Sequence, residues 1–261
     1  MATLGEADTV KAVRYHGNKD IRVEDIPRQK DLGDHDVRLS PAWCGICGTD
    51  VHEYLHGPIF PPTREKPQPL TGDSMPIVLG HEFAGTITEV GKAVQGLSIG
   101  DEVAVEGLLT DDTCYSCSIH KRNTCDKSAF LGLSTNPGGL CESILIPAST
   151  CHKLPPGLSL EVGALVEPLS VAWHAVSSSG ITPKHSAIIF GAGPIGLATI
   201  LVLKAKGVTQ ILASEPSKSR HEQAKQLGAS HTFNPMNEDV VQEAKRICDG
   251  LVHEPDIQKE N

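Results

Sequence analysis

Apolar and polar positions follow two different patterns along the 261-residue chain, and the change comes near Pro156. Before it, short segments rich in β-branched residues alternate with gaps that carry Gly, Pro and Asp, which is typical of strands joined by turns. We therefore predict an irregular β-barrel for this part. The predicted strands are VKAVRYH, DVRLSPAW, FAGTITEV, DEVAV and ESILIP.

One segment, residues 56–76, breaks that pattern with six prolines and no apolar period. Such a stretch is typical of a long exposed excursion from a compact domain, and loops of this length often act as lids.

After Pro156 helical and strand patterns alternate. SLEVGALVEPLSVAWHAVSS is apolar at helical spacing and starts at Ser159, a good N-cap residue. This alternation predicts a parallel sheet with crossover helices, so the class is α/β plus β, with domains at 1–175 and 176–261. The further predicted elements are strand SAIIF, helix 194–206, strand QILAS, helix 217–227, strand HTF and helix 238–248.

Charge and composition narrow the partners. The 32 acidic and 23 basic side chains give a formal charge of -9, which disfavours nucleic acid and leaves a small neutral ligand as the easier partner. The N-terminus lacks the features of a secretion signal, and no stretch reaches the ~18 apolar residues of a membrane helix, so we expect no membrane partner and a cytoplasmic location. Eight cysteines in that compartment are metal ligands, a nucleophile or packing residues rather than disulfides.

The sequence FGAGPIG lies between a predicted strand and a predicted helix, where three glycines let a backbone approach a pyrophosphate at a helix N-terminus. Glu215 follows at the end of the next strand, where a carboxylate accepts ribose hydroxyls and favours NAD over NADP. Lys218 and Arg220 weaken that preference, and a plain glycine-rich turn is the alternative. The candidate cofactor-binding residues are Gly191, Gly193, Pro194, Ile195, Gly196, Glu215 and Arg220.

Candidate ligands for a zinc ion open to substrate lie in three separate places. Cys44 is in CGICGTDVH, His81 and Glu82 are in GHEF, and Glu167 is in the apolar context ALVEPLSVAWH. A buried carboxylate needs a partner such as a metal or a cation, and zinc accepts thiolate, imidazole and carboxylate together. Each of these residues alone is more often structural.

With the glycine loop, the segments CGICGTDVHEY, GHEFAGTITEVG and GALVEPLSVAWHAV resemble the zinc-containing medium-chain dehydrogenases, from about residue 10 to residue 248. The three segments are similar to the polyol and butanediol dehydrogenase branch, and the proline-rich insert resembles that of its (R,R)-2,3-butanediol members. The resemblance implies a GroES-like irregular β-barrel catalytic domain followed by a Rossmann-type NAD-binding domain.

The resemblance also implies roles. Cys44, His81 and Glu167 are then the catalytic zinc ligands, and Glu82 is a second-shell or exchanging ligand. The positions of Thr49 and His52 carry the proton relay, with a turn residue and a surface histidine as the alternative. Cys47 is left without a role at the metal and is interpreted as a buried small residue.

A second cluster, DDTCYSCSIHKRNTC, resembles the structural zinc lobe of the family, which uses four cysteines at steps of three, three and eight. Cys114, Cys117 and Cys125 match that spacing, but Asp111 stands in the first position. Either Asp111 or its neighbour Asp112 supplies an oxygen to a second zinc, or the lobe holds three free thiols and no metal. His120 has a less natural spacing for a ligand.

Members of this family continue into a six-stranded sheet, whereas this chain ends in DGLVHEPDIQKEN, which lacks a strand pattern. We therefore expect an incomplete Rossmann-type domain and loss of the family's subunit contact. Two hypotheses remain: a zinc- and NAD-dependent dehydrogenase of vicinal diols or related secondary alcohols, and a non-catalytic remnant that retains zinc and partial nucleotide binding. A sorbitol-like polyol dehydrogenase is a further alternative within the enzyme class.

Overall fold

A computed structural model of the protein describes residues 9–248. The described residues form two compact units, divided between Glu167 and Pro168. The domain boundary at 175/176 stays a prediction. No helix within residues 9–248 is long and apolar enough to cross a membrane.

The first unit is built from antiparallel strands. They form two sheets with the orders β2-β1-β4 and β10-β6-β5-β3-β9, and a small β7-β8 pair, which confirms the predicted irregular β-barrel fold. Side chains such as Leu39, Phe83 and Ile144 fill its core. The strands are β1 (Thr9–Gly17), β2 (Asp20–Pro27), β3 (Asp36–Gly45), β4 (Ile77–Val78), β5 (Glu82–Val90), β6 (Glu102–Val105), β7 (Leu108–Leu109), β8 (Ala129–Phe130), β9 (Ile144–Pro147) and β10 (Cys151–Lys153).

Two short helices of this unit position the candidate chemistry. Helix α1 (Gly48–His56) starts three residues after β3 ends, with Cys47 as its N-cap. The Asp50 carboxylate accepts a hydrogen bond from the Cys47 backbone N–H at 2.8 Å, which satisfies one unpaired donor at the helix start. Helix α2 (Tyr115–Ser118) lies in the cysteine-rich lobe and is followed by a 3-10 turn at Arg122–Thr124.

The long apolar helix predicted from Ser159 is divided in two. Helix α3 (Leu160–Gly163) begins at Ser159, whose hydroxyl accepts the Val162 N–H at 3.3 Å, and α4 (Val166–Ser178) begins after a short break. Pro168 accounts for the break because it has no N–H to bond the preceding turn, so it is tolerated only in the first turn of a new helix.

The second unit confirms the predicted alternation of strand and helix. Its strands pair in parallel in the order β11-β12-β13. The elements are β11 (Ser186–Phe190), α5 (Pro194–Ala205), β12 (Gln210–Ser214), α6 (Lys218–Leu227), β13 (His231–Phe233) and α7 (Val240–Ile247). The final segment, for which no further strand is predicted, lies outside the described residues.

Candidate active site and metal centres

A thiol, an imidazole and a carboxylate meet where β3 and β5 pair. Ligand atoms of Cys47, His81 and Glu82 all lie within 4.8 Å of one another. The register places Gly45 opposite Glu82, so the end of β3 and the start of β5 come side by side. This is a donor set that zinc accepts.

The ring of His81 is oriented by a second carboxylate. His81 and Asp50 are both buried, and His81 Nδ1 lies 3.5 Å from Asp50 Oδ1. Neither atom has a closer polar partner among the described residues. A carboxylate facing Nδ1 leaves Nε2 as the atom to bind a metal, the usual arrangement behind a zinc-bound histidine.

Electrostatics around the cluster suit a cation. Burial alone lowers the pKa of His81, but the Asp50 carboxylate and the Cys47 thiol raise it to about 9. Burial raises the pKa of Glu167, the Glu82 carboxylate raises it further, and His81 opposes the shift. Glu167 therefore lies close enough to the cluster to feel both groups, although the cluster of three within 4.8 Å does not include it.

The two cysteines of CGICGTDVH occupy different environments. Cys44 belongs to strand β3 and packs against the barrel core, where a Cβ on Gly80 would lie 2.5 Å from its Sγ. Burial, with the Asp50 and Glu82 carboxylates nearby, raises the pKa of the Cys44 thiol to about 12. The structure thus brings Cys47, and not Cys44, to His81 and Glu82.

The residues predicted for a proton relay lie on α1. The Thr49 hydroxyl lies 3.6 Å from the Cys47 thiol and is therefore next to the cluster. His52 is exposed, one helical turn further on and on the same face of the helix. This order runs from the half-buried Cys47 thiol toward solvent.

A cavity of about 680 Å³ lies next to the cluster in the first unit. Phe130 lines it and packs edge-on against His81, with ring centroids 5.9 Å apart. Leu108, Leu133 and residues of the proline-rich segment also line it.

The cysteine-rich lobe gathers three thiols around one carboxylate oxygen. Ligand atoms of Asp111, Cys114, Cys117 and Cys125 lie within 4.8 Å of one another. Asp111 Oδ1 accepts the backbone N–H of Cys114 at 3.0 Å and lies 3.6 and 3.5 Å from the Sγ atoms of Cys117 and Cys125. Backbone hydrogen bonds from Thr113 and Cys114 lower the pKa of this carboxyl, so the oxygen is an anion among three thiols.

The neighbouring acid points elsewhere. Asp112 Oδ1 accepts the Thr110 hydroxyl at 2.7 Å and pairs with Arg122 at 3.2 Å. Neither Asp112 nor His120 belongs to the group of four. The aspartate in position to complete a tetrahedral site is therefore Asp111.

The glycine loop of the second unit has the shape of a pyrophosphate cradle. Gly191 has a φ of +92°, and neither it nor Gly193 has any heavy atom within 4 Å of where a Cβ would stand. Gly196 is required for close packing, because a Cβ there would lie 2.0 Å from the Gly191 carbonyl oxygen. Pro194 begins α5, with Ile195 next.

The acid after β12 faces this loop. Glu215 is buried, and its two carboxylate oxygens accept the Ala192 and Ser217 N–H groups at 2.8 and 2.9 Å. The Ser217 hydrogen bond is the main cause of a lowered pKa for Glu215, and Arg220 lies 3.7 Å from the same carboxylate. The structure therefore brings the predicted cofactor-binding residues together at one loop.

Comparison with known proteins matches both units to domains of zinc-binding alcohol dehydrogenases. Residues 33–156 match the alcohol dehydrogenase GroES-like domain and residues 194–253 match the zinc-binding dehydrogenase domain. The chain is 43% identical to the (R,R)-butanediol dehydrogenase of Bacillus subtilis, over 93% of this chain and 68% of that relative. The chain belongs to the zinc-binding alcohol dehydrogenase family.

Other members of the family support this placement. The crystal structure of the Bacillus subtilis 2R,3R-butanediol dehydrogenase superposes with a TM-score of 0.84 at 42% identity, covering 91% of this chain and 67% of that one. The probable D-xylulose reductase A of Neosartorya fischeri is 41% identical over 88% of this chain and 62% of its own length. The predicted GroES-like and Rossmann-like domains are thus confirmed.

Sequence reasoning gave no role to Asp50, which the structure places beside the cluster. Asp50 lies behind His81 and also caps α1 through Cys47. A signal was present, because an acid three residues after a helix N-cap is the capping-box spacing.

Proposed function

We propose that the chain is a zinc- and NAD-dependent alcohol dehydrogenase that acts on secondary alcohols, with vicinal diols such as 2,3-butanediol as the preferred class. The observation that carries the proposal is the set Cys47, His81 and Glu82, with Asp50 directed at the free nitrogen of His81. The buried, otherwise unpartnered Asp50 and His81 atoms fit a metal centre better than a structural ion pair.

The proposed ligands of the catalytic zinc are Cys47, His81 and a carboxylate from Glu82 or Glu167. Cys47 replaces Cys44, the ligand expected from the sequence, because of where the two thiols lie. Zinc, when bound, supplies a Lewis acid that lowers the pKa of an alcohol hydroxyl. Thr49 accepts that proton next to the cluster, and exposed His52 passes it to solvent.

The cofactor proposal rests on the open space above Gly191 and Gly193 and on the buried Glu215. The loop N–H groups and the start of α5 would hold a pyrophosphate, and Glu215 disfavours a 2′-phosphate by charge. Arg220, at 3.7 Å from Glu215, is directed at the same end of the loop. NAD, when bound, would supply the hydride acceptor.

We also propose a structural zinc at Asp111, Cys114, Cys117 and Cys125, with the aspartate in place of the fourth thiolate. The four donors surround one point, and zinc accepts carboxylate with thiolate. All eight cysteines are free, which agrees with ligand roles in a reducing compartment such as the cytoplasm.

The substrate class is supported by the relatives and by the cavity. Relatives are named as butanediol dehydrogenase and D-xylulose reductase, so short diols and longer polyols are the two candidates. The partly apolar cavity beside Phe130 favours a short diol with methyl ends.

The test is NADH formation by the full, zinc-loaded chain with 2,3-butanediol and with sorbitol. We expect turnover of the diol, and we expect Thr49→Val to reduce kcat strongly while zinc content is unchanged. Thr88→Val, which makes the same change at an exposed position on β5, is the matched control. If the chain holds zinc but turns over neither substrate, it is a binding remnant and the enzyme proposal fails.

A further inference from the structure

A buried carboxylate that the metal centre does not use lies directly after His52. Glu53 on α1 is fully buried. Its Oε2 accepts the Ile59 N–H at 2.8 Å and its Oε1 accepts the Phe60 N–H at 2.9 Å. A buried carboxylate is costly without such partners, so these two bonds fix the start of the proline-rich segment to the helix.

The turn that joins Glu53 to this segment is closely packed. The Glu53 carbonyl accepts the Gly57 N–H at 2.9 Å and the buried Tyr15 hydroxyl at 3.0 Å. A Cβ on Gly57 would lie 2.3 Å from Glu53 Oε2 and 2.5 Å from the Tyr15 hydroxyl. The chain therefore turns directly over the carboxylate, where only glycine fits.

A second buried polar side chain holds the far end of the segment. Gln68 is 5% exposed, and its Nε2 donates to the Ser128 carbonyl at 2.9 Å, two residues before Phe130. Its Oε1 accepts the backbone N–H of Thr71 at 2.8 Å. The segment is thus tied at both ends to elements that flank the catalytic cluster.

Between the two ties the segment forms one side of the cavity next to His81. Prolines restrict its backbone and lower the entropy lost on holding one shape. Phe130, on the opposite side, contacts His81. Ile59, Phe60, Gln68 and several prolines of the segment line the cavity.

We infer that Glu53 and Gln68 are positioning residues that hold the proline-rich segment as a fixed wall, against which the apolar substituent of the alcohol packs. The inference rests on the proposed function and assigns its substrate class: secondary alcohols with short apolar substituents. It differs from a mobile lid, which the length of the segment suggests. Loosening either tie weakens alcohol binding without reaching the proton relay.

The test uses Glu53→Gln in the full, zinc-loaded chain. The amide keeps the size of the side chain but replaces one acceptor oxygen with a donor. We expect hydrogen exchange at the Ile59 or Phe60 amide to become about tenfold faster, because a hydrogen bond to a charged group is lost. We also expect 2,3-butanediol, titrated without NAD, to shift the wall amides at a several-fold higher half-saturating concentration.

Controls separate this inference from a general loss of stability. Glu106→Gln changes an exposed carboxylate beside His152 and should alter neither measurement. Gln68→Met frees the other end and should weaken diol binding in the same way, so it decides the matter if Glu53→Gln does not fold. In turnover both wall variants should raise KM with little change in kcat.

Two results would overturn the inference. One is equal diol binding in wild type, Glu53→Gln and Gln68→Met. The other is wild-type turnover of diol with no shift of the wall amides. By contrast, if 2,3-butanediol shifts the wall amides but no NADH forms, the role of the wall is supported and the proposed enzyme activity is refuted.

Discussion

The two proposed metal sites of the first unit are assembled in opposite ways. The lobe cluster takes all four ligands from residues 111–125, held by hydrogen bonds to neighbouring backbone. The cluster at His81 takes Cys47 from 34 positions away, through the pairing of β3 with β5. It also has a buried carboxylate behind its histidine, which the lobe lacks among its described residues.

This difference separates a site that local spacing defines from one that tertiary structure defines. The lobe ligands can be placed by counting residues, because a short loop with fixed spacing closes on itself. The ligands at His81 depend on where β3 ends and α1 begins. A shift of that boundary by one turn exchanges which cysteine faces the metal.

The largest effect is expected from replacing the cysteines of CGICGTDVH one at a time. We expect Cys47→Ser to remove the zinc at His81 and abolish dehydrogenase activity, an effect larger than the ~10–100-fold loss typical of a second-shell change. The reason is that a weakly binding hydroxyl replaces a thiolate ligand. Zinc content per chain and NADH formation are the measurements.

Cys44→Ser is the matched control, since it makes the same change three residues earlier. It should retain zinc and most of the activity, with a modest loss of stability from the core position of Cys44. If Cys44→Ser loses zinc and Cys47→Ser keeps it, the ligand is Cys44, as the sequence resemblance implied, and not Cys47.

In the second unit the order of strands and helices follows closely from the sequence, because β-branched runs and the glycine loop are local signals. In the first unit the five predicted strands correspond to β1, β3, β5, β6 and β9. The strands SAIIF and QILAS match β11 and β12 in full. The edge strand β2 is missing from the predicted set because its side chains are mostly exposed and show no buried face. The role of Pro168 in dividing α3 from α4 was also missed.

The site is less predictable than the fold. His81 and Glu82 are adjacent in sequence, and Asp111 with its cysteines matches a known spacing, so these can be found directly. The choice between Cys44 and Cys47 cannot be made from the sequence, because it depends on where β3 ends and α1 begins. Glu53 and Asp50 both resemble ordinary helix acids, and only their burial shows that they hold other groups.

The next prediction concerns the carboxylate behind His81. Asp50→Asn should weaken zinc binding at this cluster by about 10–100-fold, because an uncharged amide orients the imidazole less strongly. Competition with a chelator measures the affinity. Asp25→Asn, which changes an exposed acid on β2 that pairs with Lys11, is the control and should leave the affinity unchanged. An equal loss in both variants would mean that Asp50 has only a structural effect.

The smallest effect on turnover is expected at the lobe. Asp111→Asn removes the charge from the oxygen that faces Cys117 and Cys125, so we expect zinc content to fall from two ions per chain to one, with a lower Tm and little change in kcat. Asp111→Cys supplies a fourth thiolate at the same position and should keep two ions. Asp112→Asn should also keep two, because Asp112 bonds Thr110 and Arg122 instead. If the wild-type chain and Asp111→Asn each bind one zinc ion, the lobe carries three free thiols and no metal. If the wild-type chain binds two ions and only Asp111→Asn loses one, a carboxylate oxygen of Asp111 replaces the missing thiolate.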